Sequence, residues 1–138
     1  FYVGGFNQTK GTAAKLVIGS NGPTINGLAV GYRDIPQVSF SSSATLALSD
    51  AGKHYYSTSG SGLTLTVPPN SSVAFATGAT INIINQGTGI ITVALGSGVS
   101  MYLAGNSTSS SRTLSSYGVA SITKVATDTW FISGVGLT

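Results

Sequence analysis

The sequence predicts an all-β fold, either a sandwich or a barrel of short strands. Apolar and polar residues alternate with a period of two in one segment after another, and turn residues separate these segments every ~8–12 residues. Helix signals are nearly missing, while the 138 residues include 19 Gly, 21 Ser and 17 Thr. Short strands at this spacing favour a sandwich or barrel over alternating strands and helices.

The first third of the chain carries four short candidate strands, at residues 14–18, 27–31, 37–40 and 44–48. Residues 9–18 have two interpretations. The first interpretation is a short helix, because the segment contains tolerable helix formers such as Ala13, Ala14 and Leu16. The other is a connector that leads from a preceding shaft into the β-domain. No internal repeat of about 20–50 residues is evident.

The clearest strand is Leu63-Thr64-Leu65-Thr66-Val67, which Pro68-Pro69-Asn70 ends. Its three aliphatic residues lie on one face and its two threonines on the other. A further extended piece begins at residues 73–75. Residues 80–83 and 91–95 alternate in the same way on either side of a turn at residues 85–89, a pattern that predicts a β-hairpin.

The last third of the chain predicts a second hairpin. Residues 99–103 alternate, and a polar loop follows at residues 105–112. Residues 117–125 should then pair with residues 130–132 across the turn 126–129. Asp128 lies in that turn, where its side chain can bond its own backbone.

The charge content predicts an oligomer. The length fits one domain, yet only 7% of the residues are charged, against about 25% in an average protein. A lone chain with so few charges would expose large uncharged patches, so we expect part of the surface to be covered by other copies. Because the chain does not begin with Met, we expect a fragment of something longer.

The same composition argues against several functions. The chain has no Cys, one His and three acids, Asp34, Asp50 and Asp128, so neither a zinc site nor a disulfide is expected within it. Asp50 and Asp128 lie in predicted turns, which leaves no evident pair of carboxylates for glycoside cleavage. The six Lys and Arg residues are scattered, so we expect no nucleic-acid binding. Because so few side chains can carry chemistry, we expect no cofactor and no enzymatic activity.

The aromatic residues are the best candidates for binding. His54, Tyr55 and Tyr56 are consecutive and predict a surface or interface cluster. Together with Tyr102 and Tyr117, the two tyrosines could form a platform on which sugar rings stack. Ordinary β-sheet aromatics are the alternative.

Several segments resemble a module common in virion proteins of tailed bacteriophages. They are residues 45–53, 63–75, 78–84, 87–93, 96–99 and 121–134, and together they span the chain from residue 45 to residue 138. The pattern recurs in tail fibres, needle tips and head appendages, and a C-terminal knob of a tail needle or fibre fits best. Such knobs are homotrimers on a fibrous stem, each subunit a jelly-roll-like antiparallel β-sandwich. By resemblance, residues 1–15 form a connector from an upstream stem and residues 16–138 a single knob domain.

The resemblance implies a non-enzymatic protein of the virion that acts in attachment to the host cell envelope, in penetration and in genome delivery. The alternative is a carbohydrate-binding module that recognises lipopolysaccharide through a site near the tyrosines. In a trimer, cations near the three-fold interface would also bind a small carboxylate, phosphate or acidic sugar. The candidate contacts for an anion or a glycan are Arg33, Lys53, His54, Tyr55, Tyr56 and Arg112.

Overall fold

The computed structural model describes residues 34–138 and, before them, three strands. These are β1 (Leu16–Gly19), β2 (Gly22–Ile25) and β3 (Leu28–Ala29), which pair antiparallel in the order β1-β2-β3. The chain divides into two compact units, Phe1–Asp34 and Ile35–Thr138. The predicted connector at residues 1–15 lies outside the described residues, and its boundary at residue 15 stays a prediction.

The second unit consists of nine strands and a single 3-10 turn at Leu48–Asp50, and the all-β class is confirmed. The strands are β4 (Gln37–Ser39), β5 (Ala44–Thr45), β6 (His54–Ser57), β7 (Leu63–Val67), β8 (Thr80–Asn85), β9 (Ile91–Leu95), β10 (Ser100–Leu103), β11 (Arg112–Ala126) and β12 (Thr129–Leu137).

Strands β4 to β9 alternate between two columns of parallel strands. One column is β4-β6-β8 and the other is β5-β7-β9, so the chain coils from one column to the other and back. His54 pairs with Asn82 and Leu63 pairs with Ile91, which places residues 28 positions apart in equivalent positions. The offset is not constant along the coil, since Gln37 pairs with His54, 17 residues later, and Ala44 with Leu65, 21 residues later. The expectation of no internal sequence repeat stays a prediction.

Strand β11 crosses the end of the coil and joins the two columns. Its residues 112–114 pair with β9, and its residues 118–123 pair with β8, both antiparallel. Between these halves the strand is irregular, and Tyr117 has a φ of 57°. The predicted closing hairpin is confirmed, since β12 returns antiparallel to β11 with Lys124 opposite Trp130. Strand β10 lies parallel to β12 on its other side.

Two predicted pairings were wrong. Strands β8 and β9 do not form a hairpin, because the turn at residues 85–89 carries the chain into the other column. The predicted antiparallel arrangement was also wrong, since five of the eight strand pairings in this unit are parallel, and the jelly-roll sandwich is not confirmed. A hairpin pairs consecutive strands, whereas a coil pairs each strand with its equivalent one turn later. The result is a curled mixed sheet.

One hydrophobic core lies inside the coil. It takes alternate residues from both columns and from the hairpin, as the period of two requires. Phe75 packs edge-on against Trp130 with 5.4 Å between the ring centroids. The fully buried large side chains are Leu46, Leu65, Val67, Ile81, Ile83, Ile91, Val93, Met101, Leu114, Ile122, Trp130 and Ile132.

The turns of successive coils stack directly on each other. Gly87 N donates to Ser57 O at 3.1 Å, and Gly89 N donates to Ser59 O at 3.0 Å. A Cβ atom at Gly87 would overlap the backbone of Ser59, and one at Gly89 the backbone of Ser61. Glycine is required here by this close approach of two backbones.

Candidate functional site

The outward side of the sheet offers a broad surface without a charged side chain. We define the outer face by the exposed and half-buried residues that alternate with the core positions of β4, β6, β8, β11 and β12. Cross-strand neighbours share a face, so the register orders these residues into rows. The outer face comprises Gln37, Ser39, His54, Tyr56, Thr80, Asn82, Ile84, Val119, Ser121, Thr123, Phe131, Ser133 and Val135.

One row of the outer face is apolar and its neighbour is polar. Tyr56, Ile84, Val119 and Val135 pair in sequence across four strands. Val135 is 80% exposed and Val119 is 49% exposed, so the row is open to solvent.

The polar row runs through Gln37, His54, Asn82, Ser121 and Ser133. His54 Nε2 lies 3.1 Å from Gln37 Oε1, a distance at which the ring N–H donates to the amide oxygen. Amides, hydroxyls and an imidazole can both donate and accept hydrogen bonds. The outer face therefore combines neutral hydrogen-bonding groups with a hydrophobic stripe.

An open pocket of about 310 Å³ lies at the Tyr56 and Ile84 end of the apolar row. Its lining also includes Asn85, Gln86 and Tyr117. Tyr56 donates its hydroxyl hydrogen to Gln86 Oε1. Tyr117 is 78% exposed, and its positive φ is rare for a bulky side chain. The pocket thus pairs a hydrogen-bonded tyrosine with a strained, exposed one.

Asn85 provides the rigid floor beneath this pocket. It is fully buried, and its Nδ2 donates to Gly89 O at 2.8 Å and to Ser115 O at 3.0 Å. Its Oδ1 accepts from Gly87 N at 3.1 Å. Because the Asn85 amide already bonds to backbone groups, it holds the turn at residues 85–89 against the irregular part of β11. Contacts with a ligand are left to the other residues of the pocket.

The four tyrosines of the predicted platform do not come together. Alternation within β6 places Tyr55 in the core, where its ring packs edge-on against Phe40 at 5.5 Å. Tyr102 lies against Phe131, with 5.6 Å between the ring centroids. Tyr56 and Tyr117 alone share the pocket.

Asp50, Lys53 and Tyr55 form a cluster beside the start of β6. Asp50 is buried, and its Oδ2 accepts from Ala47 N at 2.7 Å and from the Tyr55 hydroxyl at 2.8 Å. Lys53 Nζ lies 3.8 Å from Asp50 Oδ1. Burial, and then the hydrogen bond and negative charge of Asp50, raise the pKa of Tyr55 well above its ordinary value. The cluster has no catalytic geometry and is explained by the turn that it closes.

Two of the predicted cationic contacts, Lys53 and Arg112, belong to different columns. Arg33 is outside the described residues. Lys53 precedes β6 in one column, while Arg112 pairs with Val93 of the other column. Arg112 is nine-tenths buried, donates from Nη2 to Thr108 O at 2.9 Å, and has no partner for Nε within residues 34–138. Anion binding at these residues stays a prediction.

Lys124 is a buried residue that was not among the predicted site residues. This lysine is 3% exposed, and its Nζ donates to Asn70 Oδ1 at 2.5 Å and to Phe75 O at 2.8 Å. A signal was present, because Lys124 continues the inward alternation of Ala120 and Ile122.

Neither a metal centre nor a membrane-spanning helix is found in the part of the chain that the structure describes. There, no three His, Cys, Asp or Glu side chains are placed to hold a metal ion. No described helix is both long and apolar enough to cross a membrane. Comparison with known proteins gives no family model, no curated protein and no solved structure that matches this chain.

Proposed function

We propose that this chain is the non-enzymatic tip of a bacteriophage virion appendage, a knob of a tail needle or tail fibre that assembles as a homotrimer. In this role it meets the bacterial cell envelope during attachment or penetration and thereby assists genome delivery. The sequence resemblance over residues 45–138 supports the proposal, and those residues fall within the compact unit Ile35–Thr138. The proposal does not require the antiparallel jelly-roll topology.

The uncharged outer face is the observation that carries the proposal. Scattered exposed apolar residues are ordinary on soluble proteins, but a contiguous exposed apolar row marks an interaction surface. The apolar row spans four strands, or about 14 Å at the usual strand spacing, and no charge interrupts it. Self-association suits it, because contact between copies adds no like-charge repulsion and buries Val119 and Val135.

The first experiment is the solution mass of this chain by light scattering. The proposal expects a trimer of about three times 13.8 kDa. Replacing Val135 with Glu should dissociate the trimer, since it places three new negative charges in the proposed contact. Replacing Ile90 with Glu is the matched control, because Ile90 is 53% exposed but lies outside the outer face.

The measured masses of the wild-type chain and of the two variants test both the trimer and its interface. A trimer that Val135→Glu dissociates and Ile90→Glu leaves intact supports assembly through the outer face. A stable monomer at all concentrations contradicts the knob. A trimer that withstands Val135→Glu contradicts the assignment of the interface.

A carbohydrate-binding module is the second candidate, and the tyrosine pocket favours it. Tyr56 and Tyr117 offer aromatic faces beside the Gln86 amide, a combination suited to sugar rings and their hydroxyls. Backbone strain at an exposed residue such as Tyr117 is also frequent at ligand sites.

Titration with a lipopolysaccharide-derived oligosaccharide, followed by NMR or calorimetry, tests this second function. We expect saturable binding that Tyr117→Ala weakens at least tenfold and that Tyr102→Ala leaves unchanged. Equal loss in both variants, or no saturation, would rule out the pocket as a glycan site.

A further inference from the structure

Lys124 and Asn70 bring an amine and a carboxamide into contact at the edge of the core. Nζ lies 2.5 Å from Asn70 Oδ1, so the amide carbon Cγ is only one bond beyond the atom it contacts. Near-attack geometry requires reacting atoms about 3–3.5 Å apart, and the contact of Nζ with Oδ1 brings the amine next to the amide group.

The surroundings hold both groups in place. Lys124 is buried and pairs with Trp130 across β11 and β12, and Phe75 O accepts a second hydrogen bond from Nζ at 2.8 Å. On the other side, Asp128 Oδ1 accepts from the backbone N of Asn70 at 2.5 Å and fixes the position of that residue. The amine and the amide are therefore anchored from both sides of the contact.

Lys124 Nζ forms no ion pair in the part of the chain that the structure describes. Both acceptors of Nζ are neutral oxygens, and the ion pair within residues 34–138 joins Lys53 and Asp50 instead. The contact with Asn70 is therefore one between an amine and an amide, and no carboxylate among the described residues is hydrogen-bonded to Nζ. A free amine is the nucleophilic form of lysine.

We propose that Lys124 and Asn70 form an intramolecular isopeptide bond. Nζ attacks Cγ of Asn70, the bond between Cγ and Nδ2 breaks, and one Nζ proton moves to the departing nitrogen. The products are a secondary amide between the two side chains and one molecule of ammonia. No oxidant or cofactor is needed, since the reaction exchanges one amide nitrogen for another.

This bond would connect parts of the chain that are far apart in sequence. Asn70 follows β7 of the coil, whereas Lys124 lies in β11 of the closing hairpin, 54 residues later. A covalent link there prevents the hairpin from separating from the coil. In a chain without Cys, it supplies the cross-link that a disulfide provides elsewhere.

Intact mass spectrometry of the full chain is the decisive measurement. We expect a mass about 17 Da below that of the unmodified sequence, the mass of one ammonia. Trypsin should leave the peptide bond after Lys124 uncut, and the linked peptides 54–112 and 113–138 should appear as one branched species.

A succinimide at Asn70-Ser71 would lose the same mass, so a variant is needed. Lys124→Met keeps the buried volume and removes the amine, and it should restore the full mass for its sequence. Lys53→Met is the matched control, because Lys53 contacts a carboxylate and no amide, and it should retain the loss. A wild-type chain at its unmodified mass, or a loss that persists in Lys124→Met, overturns the proposal.

Discussion

Asp50 and Lys124 are two buried ionisable residues that the fold accommodates in opposite ways. The contacts of Asp50 come from Ala47, Lys53 and Tyr55, all within five residues of it. The partners of Lys124 are Asn70 and Phe75, 54 and 49 residues away. Asp50 has donors and a cation, whereas Lys124 has two neutral acceptors. The turn that contains Asp50 was predicted from the sequence, whereas the distant partners of Lys124 were not.

The largest expected effect is the loss of the Lys124 side chain. Lys124→Ala removes a buried stem and leaves Asn70 Oδ1 and Phe75 O without their donor. We expect the free energy of unfolding to fall by about 3–5 kcal/mol, measured by urea denaturation. Lys124→Met should cost less, because it keeps the stem. A loss below about 1 kcal/mol in Lys124→Ala would contradict a structural role for this residue.

The second largest loss of stability is expected when the Asp50 side chain is removed. Asp50→Ala leaves the N–H of Ala47 and the buried hydroxyl of Tyr55 without an acceptor, and we expect a loss of about 2–3 kcal/mol in the same assay. Asp50→Asn is the control and should lose less, since its amide oxygen still accepts one of these bonds. If Asp50→Ala were more damaging than Lys124→Ala, the local cluster would matter more than the long-range one.

Tyr55 makes the local cluster sensitive to alkali. Its folded pKa is raised above the ordinary value of 10.0, so the unfolded chain releases the phenol proton first as the pH rises. The stabilisation is therefore complete below about pH 10 and is lost progressively above it. Tyr55→Phe should cost about 1 kcal/mol at pH 7 and should reduce the alkaline loss. Unchanged alkaline unfolding in Tyr55→Phe would exclude this tyrosine as the cause.

The smallest effect is expected at Lys53. Its amine lies 3.8 Å from Asp50 Oδ1, and the side chain remains partly exposed. Such pairs contribute about 0.2–1 kcal/mol and are screened by salt. Lys53→Ala should thus change the midpoint of urea unfolding little, and less in high salt than in low salt. A cost near that of Asp50→Ala would show that the cluster depends on its ion pair.

Strand positions were largely predictable, and strand partners were not. Alternation predicted β7, β8, β9 and β10 close to their observed bounds, because one side of each strand faces the core. For β12 it predicted residues 130–132 alone, whereas the strand extends over Thr129–Leu137. The closing hairpin was also predictable, since its two strands are joined by a tight turn. The pairing of Leu63 with Ile91 had no such local signal, because the residues between them belong to the other column and the connecting turns.

The candidate site was also predictable only in part. The sequence suggested that tyrosines matter, but it did not distinguish Tyr55 in the core from Tyr56 on the outer face. Tyr117 joined Tyr56 because β11 is irregular where it passes between the columns, a feature of tertiary pairing. Alternation with Ala120 and Ile122 was a signal for an inward Lys124 that the prediction did not use, and its partners could not be named without the fold.

By itself, the sequence determined the all-β class, the closing hairpin and a surface poor in charge, because periodicity, turn chemistry and composition act over a few residues. Only the tertiary structure decided the parallel coil, the uncharged rows of the outer face and the contact between Lys124 and Asn70. Each of these depends on register between distant strands, where a shift of one residue would turn every side chain to the opposite face.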